Sequence, residues 1–274
     1  MNPRMTDFER DSLLAVLHSK GVWLIHVIVN ALLILSFFYW TRIPDERGWQ
    51  FTMSVISGLS IVFITLWLHS ATFDYFRLAP RSFKVSLRRA VTRIPAFLVW
   101  TLIFGFVLWA ISLLWNYDEQ IGAWARHTFP EFLRRQISPR SVISAANGAV
   151  FFLCFFLWPI FFVPVGAQVA TRGLRGFFTA AAFRPVRELR FWIAYAVCFV
   201  IGAYLPYRLA WMTPDKPSSL NAQTWSMVMR LGLGYLLLVT AWLVLCAAIM
   251  RASEGETETS VEPETEPVTA SPTK

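Results

Sequence analysis

Six runs of apolar residues, each close to the length of a membrane-crossing helix, dominate the sequence. About 20 apolar residues in a helix cross the roughly 30 Å of hydrocarbon in a bilayer. Only 15% of the residues are charged, against about a quarter in soluble domains, and most of them lie between the runs. The sequence therefore predicts an all-α, polytopic integral membrane protein, a six-transmembrane-helix bundle with interfacial amphipathic helices. We place the spans at about 22–40, 51–69, 95–115, 148–169, 191–212 and 225–250.

The two ends of the chain fall outside this six-span membrane domain, which we assign to residues 22–251. Residues 1–21 contain a capping box, Thr6 with Glu9, and predict an N-terminal cytoplasmic interfacial helix rather than a signal peptide. Residues 252–274 hold six glutamates and almost no bulky apolar residue. Such a composition predicts a disordered acidic cytoplasmic tail.

Two basic segments separate spans. The first, Arg77–Pro95, reads RLAPRSFKVSLRRAVTRIP, with apolar residues on one helical face and basic residues on the others. The second covers 171–190 and combines arginines with apolar residues in the same way. Such helices lie flat on an anionic leaflet. The residues predicted to bind lipid or a partner are Arg81, Lys84, Arg88, Arg89, Arg93, Arg175, Arg184, Arg187 and Arg190.

The same charges predict the orientation of the chain. Short loops rich in Lys and Arg stay in the cytoplasm. Both termini are then cytoplasmic, in a bacterial-type cytoplasmic (inner) membrane, although the four arginines of the 116–147 loop run against the rule. The net charge of +8 is concentrated beside the spans, which argues against nucleic acid as a partner. The predicted partners are the lipid bilayer and its anionic phospholipid head groups, with a protein partner as a further option.

Polar residues within the spans form a candidate intramembrane polar site: His26, Asn30, Arg208 and Arg230. His26 and Asn30 are four residues apart on one helical face. They either serve a metal, proton or substrate, or form an interhelical hydrogen bond. The two arginines either bind an anion or snorkel to the outer interface. His69, Asp74 and Arg77 form either a small acid–base site or an ion pair of Asp74 with Arg77.

The sequence indicates no catalytic machinery. Its three cysteines lie inside predicted spans, and no CxxC or Cys/His cluster suggests a metal. None of the predicted spans contains Asp or Glu, the residues that ion-coupled carriers usually need at mid-membrane. We therefore predict no catalytic residue, no metal ligand and no cofactor.

An internal repeat is a further hypothesis. Trp23 precedes Pro44-Asp45 much as Trp192 precedes Pro214-Asp215, and Trp49 stands before Gly58 as Trp225 stands before Gly234. Parallel repeats are typical of some transporters, and chance is the alternative explanation.

These patterns together favour a non-enzymatic membrane protein, a scaffold or accessory subunit whose basic inner loops contact anionic lipid or a cytoplasmic partner. One alternative is a small-solute carrier or channel, supported by the repeat and by prolines within spans. A second alternative is a membrane enzyme that acts on a lipid-type substrate, with His69 and Asp74 in one pocket.

Overall fold

A computed structural model of the protein describes residues 12–44, 46–77, 82–212 and 219–254, without the side chains of 133–135 and 254. These residues are almost entirely helical and contain no strand. Six helical segments are long and apolar enough to cross a membrane. They are Lys20–Trp40, Gly48–Tyr75, Phe83–Thr128, Pro139–Phe178, Leu189–Ala210 and Leu220–Ser253.

The individual helices are numbered in chain order, after a short helix over 12–18. They are α1 (Lys20–Trp40), α2 (Gly48–Tyr75), α3 (Phe83–Ser112), α4 (Asp118–Thr128), α5 (Glu131–Gln136), α6 (Pro139–Phe152), α7 (Trp158–Arg172), α8 (Arg184–Arg187), α9 (Leu189–Phe199), α10 (Leu205–Ala210) and α11 (Leu220–Glu254). Turns of 3₁₀ helix cover Leu113–Tyr117, Gly173–Phe178 and Ala180–Ala182.

The first basic segment differs from its prediction as a separate helix that ends before Pro95. Helix α3 runs without interruption from Phe83 to Ser112, with Pro95 inside it. A proline inside an apolar helix is tolerated where neighbouring groups take over the lost hydrogen bond. The basic residues therefore occupy the first turns of the helix that forms the third candidate span.

The 116–147 loop contains the helices α4, α5 and the start of α6. Helix α4 ends before Pro130, and α6 begins at Pro139. The side chain of Ser138 caps α6 by accepting a hydrogen bond from the backbone of Ser141 at 3.1 Å. Proline at the first helical position then costs nothing, because that N–H has no partner within the helix.

Wide π turns accompany two prolines within the spans. Leu153–Leu157 joins α6 to α7 just before Pro159, and Val200–Tyr204 joins α9 to α10 just before Pro206. Pro159 has no N–H to bond the carbonyl of Phe155, four residues earlier. The hydroxyl of Tyr195 on α9 donates to this carbonyl at 3.2 Å. The carbonyl that loses its partner within one helix thus accepts a hydrogen bond from a neighbouring helix.

Tryptophans join the helices through their indole N–H groups. Trp40 donates to the carbonyl of Ser54 on α2, and its ring covers Gly58, where a Cβ atom would lie 3.2 Å away. Trp67 donates across to the carbonyl of Leu87 on α3. Trp23 on α1 donates to Thr240 Oγ1 on α11 at 3.0 Å. Because the bundle has few charges, these bonds and close packing hold its helices together.

The buried core lies where α2, α3, α7, α9 and α11 meet. Helix α11 supplies its densest part, including Leu243, Cys246 and Ile249. Helix α1, by contrast, exposes Leu24, Ile28, Leu32 and Leu35 along one side. An exposed apolar stripe of this length is typical of a helix that faces lipid.

The proposed repeat has related packing in its two hairpins. Gly58 on α2 lies against Trp40 of the preceding helix, and Gly234 on α11 lies against Pro206 of the preceding helix. Trp49 and Trp225 are both exposed. Asp45, Pro214 and Asp215 lie outside the described residues, so the repeat stays a prediction.

Candidate functional site

A groove of about 640 Å³ lies among α1, α2, α3 and α11. Its lining is mainly apolar, with Leu33, Ile61 and Leu238 from three of the helices. Two hydrogen bonds hold α11 against α1 beside it: Trp23 donates to Thr240, and the Tyr235 hydroxyl donates to the carbonyl of Val27. The groove is therefore bounded by helices that are fixed to each other, in the middle of four candidate spans.

One wall of the groove is aromatic. Phe97, Trp100 and Phe104 are three and four residues apart, which places them on one face of α3. The rings of Phe97 and Trp100 stack with centroids 5.1 Å apart, and those of Trp100 and Phe104 at 5.3 Å. Trp100 also lies on Gly166 of α7, where a Cβ atom would be only 2.5 Å from its ring. Its indole donates to the carbonyl of Phe162 at 3.2 Å. This wall is consequently rigid.

A chain of hydrogen bonds leads from the groove into the protein. Thr72 donates its hydroxyl to the carbonyl of Leu68 at 2.8 Å, so it accepts from Nε2 of His26 at 2.6 Å. The other nitrogen of that ring, Nδ1, then accepts from the Asn30 amide at 3.3 Å. The chain fixes His26 as a neutral imidazole with its proton on Nε2. It leaves Asn30, which lines the groove, with a carbonyl oxygen and one N–H for another partner.

His69 also lines the groove, beside this chain. Its ring centroid is 5.6 Å from that of His26, and it meets Trp242 edge-on at 5.3 Å. The Nδ1 atom of His69 and the Nε1 atom of Trp242 are both buried and have no hydrogen-bond partner. Buried polar atoms without a partner are rare in native proteins and require an explanation. Both nitrogens belong to side chains that line the groove.

Of the predicted intramembrane site, the structure brings together His26 and Asn30 and places the two arginines elsewhere. Arg208 is exposed on α10, which does not line the groove. Arg230 donates to the carbonyls of Ser226 and Leu209, on α11 itself and on α10. This contact with backbone carbonyls near a helix end fits the snorkelling alternative better than a shared site with His26.

Asp74 lies apart from the groove. Five residues separate it from His69, a rotation of about 140° around the helix, so the two side chains leave α2 on different sides. Asp74 is fully buried and pairs with Arg93 of α3, the Oδ1–Nη1 distance being 3.1 Å. The same Nη1 donates to the carbonyl of Ala170 on α7 at 3.2 Å. Arg93, predicted to contact lipid, is thus engaged in joining three helices.

Most of the other predicted lipid-binding cations lie at one end of the bundle, here called the basic end: residues 82–93 and 172–190. Arg93 contacts Ala170, two residues before the second part begins, so the two parts are adjacent. Lys84, Arg88, Arg89, Arg175 and Arg187 are exposed, while Arg184 and Arg190 are half-buried. Arg81 lies outside the described residues.

Sequence reasoning missed several residues of the groove. Thr72, which lies behind the groove, contacts His26, and Trp242 contacts His69. Both contacts arise from tertiary packing, and no local sequence pattern indicates them. The spacing of Phe97, Trp100 and Phe104 is visible in the sequence but is that of any apolar helix face. Within the described residues, no group of three His, Cys, Asp or Glu side chains could hold a metal ion. Comparison with protein-family models, curated proteins and solved structures gave no match.

Proposed function

We propose that the chain is a multi-pass protein of a bacterial-type cytoplasmic membrane, with both termini in the cytoplasm. It acts without catalysis, as a scaffold or accessory subunit, and its basic end contacts anionic lipid head groups or an acidic cytoplasmic partner. The observation that carries the proposal is the exposure of cationic side chains beside exposed apolar ones at this end.

The second basic segment shows this combination best. Phe178 is 92% exposed, and Leu174 and Leu189 are exposed as well. Arg175 and Arg187 are exposed within the same segment. Apolar side chains that enter the interface next to arginines that reach phosphates are typical of segments that rest on anionic membranes.

The first basic segment adds charge to the same surface. Lys84, Arg88 and Arg89 are exposed on the first turns of α3. Each cation near an anionic surface contributes about 1 kcal/mol of attraction, which salt screens. Arg93 is left out of this surface because it pairs with Asp74. The proposal therefore assigns lipid contact to three of the five described cations of the segment.

The test is a competition between lipids around the purified protein. A variant with Lys84→Glu, Arg88→Glu and Arg89→Glu is reconstituted with brominated phosphatidylglycerol or brominated phosphatidylcholine, which quench tryptophan fluorescence on contact. We expect the wild-type preference for the anionic lipid to fall at least fivefold in the variant. The difference should disappear at about 1 M salt, where the Debye length is near 3 Å.

A matched control reverses three cations of the opposite end, Arg126, Arg140 and Arg208. The proposal expects a smaller loss of preference for this control than for the basic-end variant. Equal preference in the wild type and the basic-end variant, at low salt, would contradict lipid contact there. Loss of scaffold activity in the variant, together with an unchanged lipid preference, would assign the basic end to a protein partner instead.

The groove bears on the two alternatives. A carrier needs a path to both sides, and the groove is backed by Phe73, which is fully buried and contacts Phe97 and Trp242. An enzyme needs His69 and Asp74 in one pocket, and only His69 lines the groove. The geometry therefore supports the non-enzymatic function more than either alternative.

A further inference from the structure

We infer that the groove among α1, α2, α3 and α11 is a binding site for an uncharged membrane lipid with carbonyl groups, of the diacylglycerol class. This inference concerns a site away from the basic end and does not depend on the function proposed for that end.

Access comes from the side. All four lining helices are candidate membrane spans, and the groove lies within their apolar stretches. Leu238 and Ile34, which line it, are also exposed on the outer surface of the bundle. A molecule that reaches the groove therefore arrives through the hydrocarbon phase, which selects for a lipid.

The lining excludes a charged head group. Its polar members are Asn30, Thr65, His69, Thr101, Tyr235 and Trp242, none of which carries a fixed charge. The ion pair of Asp74 with Arg93 leaves α2 on a different side from His69, so neither charge lines the groove. A phosphate or carboxylate in the groove would be a charge without a partner at membrane depth, which is costly.

The unused hydrogen-bonding groups select for carbonyl oxygens. The indole N–H of Trp242 can only donate, and it has no acceptor in the protein. Asn30 keeps one N–H after it bonds His26. Nδ1 of His69 also has no hydrogen-bond partner, so this ring is available as a third hydrogen-bonding group. Asn30 on α1 and Trp242 on α11 line the groove from two helices, and a shift of the Trp242 ring that exposes its buried N–H gives two donors for the two ester carbonyls of a diacylglycerol.

The groove is of suitable size and is already formed. Its volume, about 640 Å³, falls within the range of known small-molecule sites, roughly 300–1,000 Å³. The stacked rings of Phe97 and Trp100 give a flat apolar wall, which an acyl chain can lie along. Because Trp100 is fixed by Phe162 and Gly166, binding does not require this wall to be ordered first.

The experiment uses the full-length protein in maltoside micelles and dioleoylglycerol that carries a photoreactive diazirine on one chain. We expect saturable labelling of peptides that contain residues 61–69 and 235–242. Unlabelled dioleoylglycerol should compete. Hexadecane, which has no carbonyl, and oleate, which is charged, should need at least tenfold higher concentrations.

Two variants test the groove in different ways. Leu238→Trp fills it and should abolish saturable labelling, whereas Leu233→Trp, on the same helix but outside the lining, should not. Asn30→Leu with His69→Phe removes two hydrogen-bonding side chains and keeps their bulk, so the apparent affinity should fall about five- to tenfold. Labelling that does not saturate, or that is the same in Leu238→Trp as in the wild type, would overturn the inference even if the double variant failed to fold.

Discussion

At the scale of single residues, Asp74 is the side chain whose replacement we expect to be most costly. Its carboxylate is buried and pairs with Arg93, whose side chain is 24% exposed. Asp74→Asn leaves the guanidinium with a neutral partner in an apolar setting. Since Arg93 keeps some access to the surface, we expect a loss of about 2–3 kcal/mol in unfolding free energy, below the value for a fully buried pair. Chemical unfolding of the purified protein in detergent measures it.

The control for this prediction removes both charges. Arg93→Met combined with Asp74→Asn leaves no uncompensated charge, so the double variant should be more stable than Asp74→Asn alone. If the second substitution only adds to the loss, the ion pair is not what stabilises this junction of α2, α3 and α7.

The second prediction at this scale concerns Gly166 of α7. A Cβ atom there would lie 2.5 Å from the buried ring of Trp100, which cannot move without disturbing the aromatic wall. We expect Gly166→Ala to lower the free energy of unfolding by about 1–3 kcal/mol through overpacking. Gly105→Ala on α3, where no atom lies within 4 Å of the new Cβ, is the matched control and should be neutral or slightly stabilising. Equal effects of the two substitutions in thermal unfolding would show that the contact with Trp100 is not tight.

At the scale of elements, one hydrogen bond links the π turn before Pro159 to α9. The carbonyl of Phe155, which Pro159 cannot bond, is satisfied by the Tyr195 hydroxyl. Tyr195→Phe should therefore cost about 0.6–1.7 kcal/mol, the range of interhelical hydrogen bonds in membrane proteins. In a Pro159→Ala background, the new N–H can bond the same carbonyl, and the cost of Tyr195→Phe should fall toward zero. A double-mutant cycle by unfolding measures this coupling, and additive effects would exclude it.

The elements show which features of the fold are accessible from sequence. The spans follow from runs of apolar residues, because length and composition alone decide whether a helix can cross a bilayer. The π turns could not be predicted from these runs, because Pro159 and Pro206 indicate an interruption of the helix but not the kind of turn that replaces it. Pro95 gives the opposite result, because it lies inside α3 and the helix continues through it without interruption.

The candidate groove was accessible only in part, for a related reason. The spacing of His26 and Asn30 predicts that they share a face, since four residues make about one turn. Their continuation to Thr72 and the approach of Trp242 to His69 depend on how α2 and α11 pack, and packing partners are not encoded locally. The ion pair of Asp74 with Arg93 joins residues 19 positions apart in the same way.

At the scale of the whole molecule, the exposed cations and the groove are separated along the bundle. The exposed cations Lys84, Arg88, Arg175 and Arg187 lie at the basic end, and the carbonyl-binding groove lies deeper, between spans. A lipid held in the groove and head groups held at the basic end would occupy different depths of the same bilayer. The two proposed contacts are therefore compatible and can be tested independently.

The last prediction concerns the orientation of the whole chain. Arg93 of α3 contacts Ala170 of α7 at the basic end, so Lys84 and Arg187 should both face the cytoplasm, while Arg126 on α4 should face the opposite side. Single cysteines at these positions are labelled with a membrane-impermeant maleimide, in intact spheroplasts and after permeabilisation. The native Cys154, Cys198 and Cys246 are buried and should give little background. We expect position 126 to react in both samples and positions 84 and 187 only after permeabilisation, because arginine-rich short segments resist translocation.

Reaction of position 84 or 187 in intact spheroplasts would invert the orientation. Reaction of positions 84 and 126 from the same side would exclude α3 as a span.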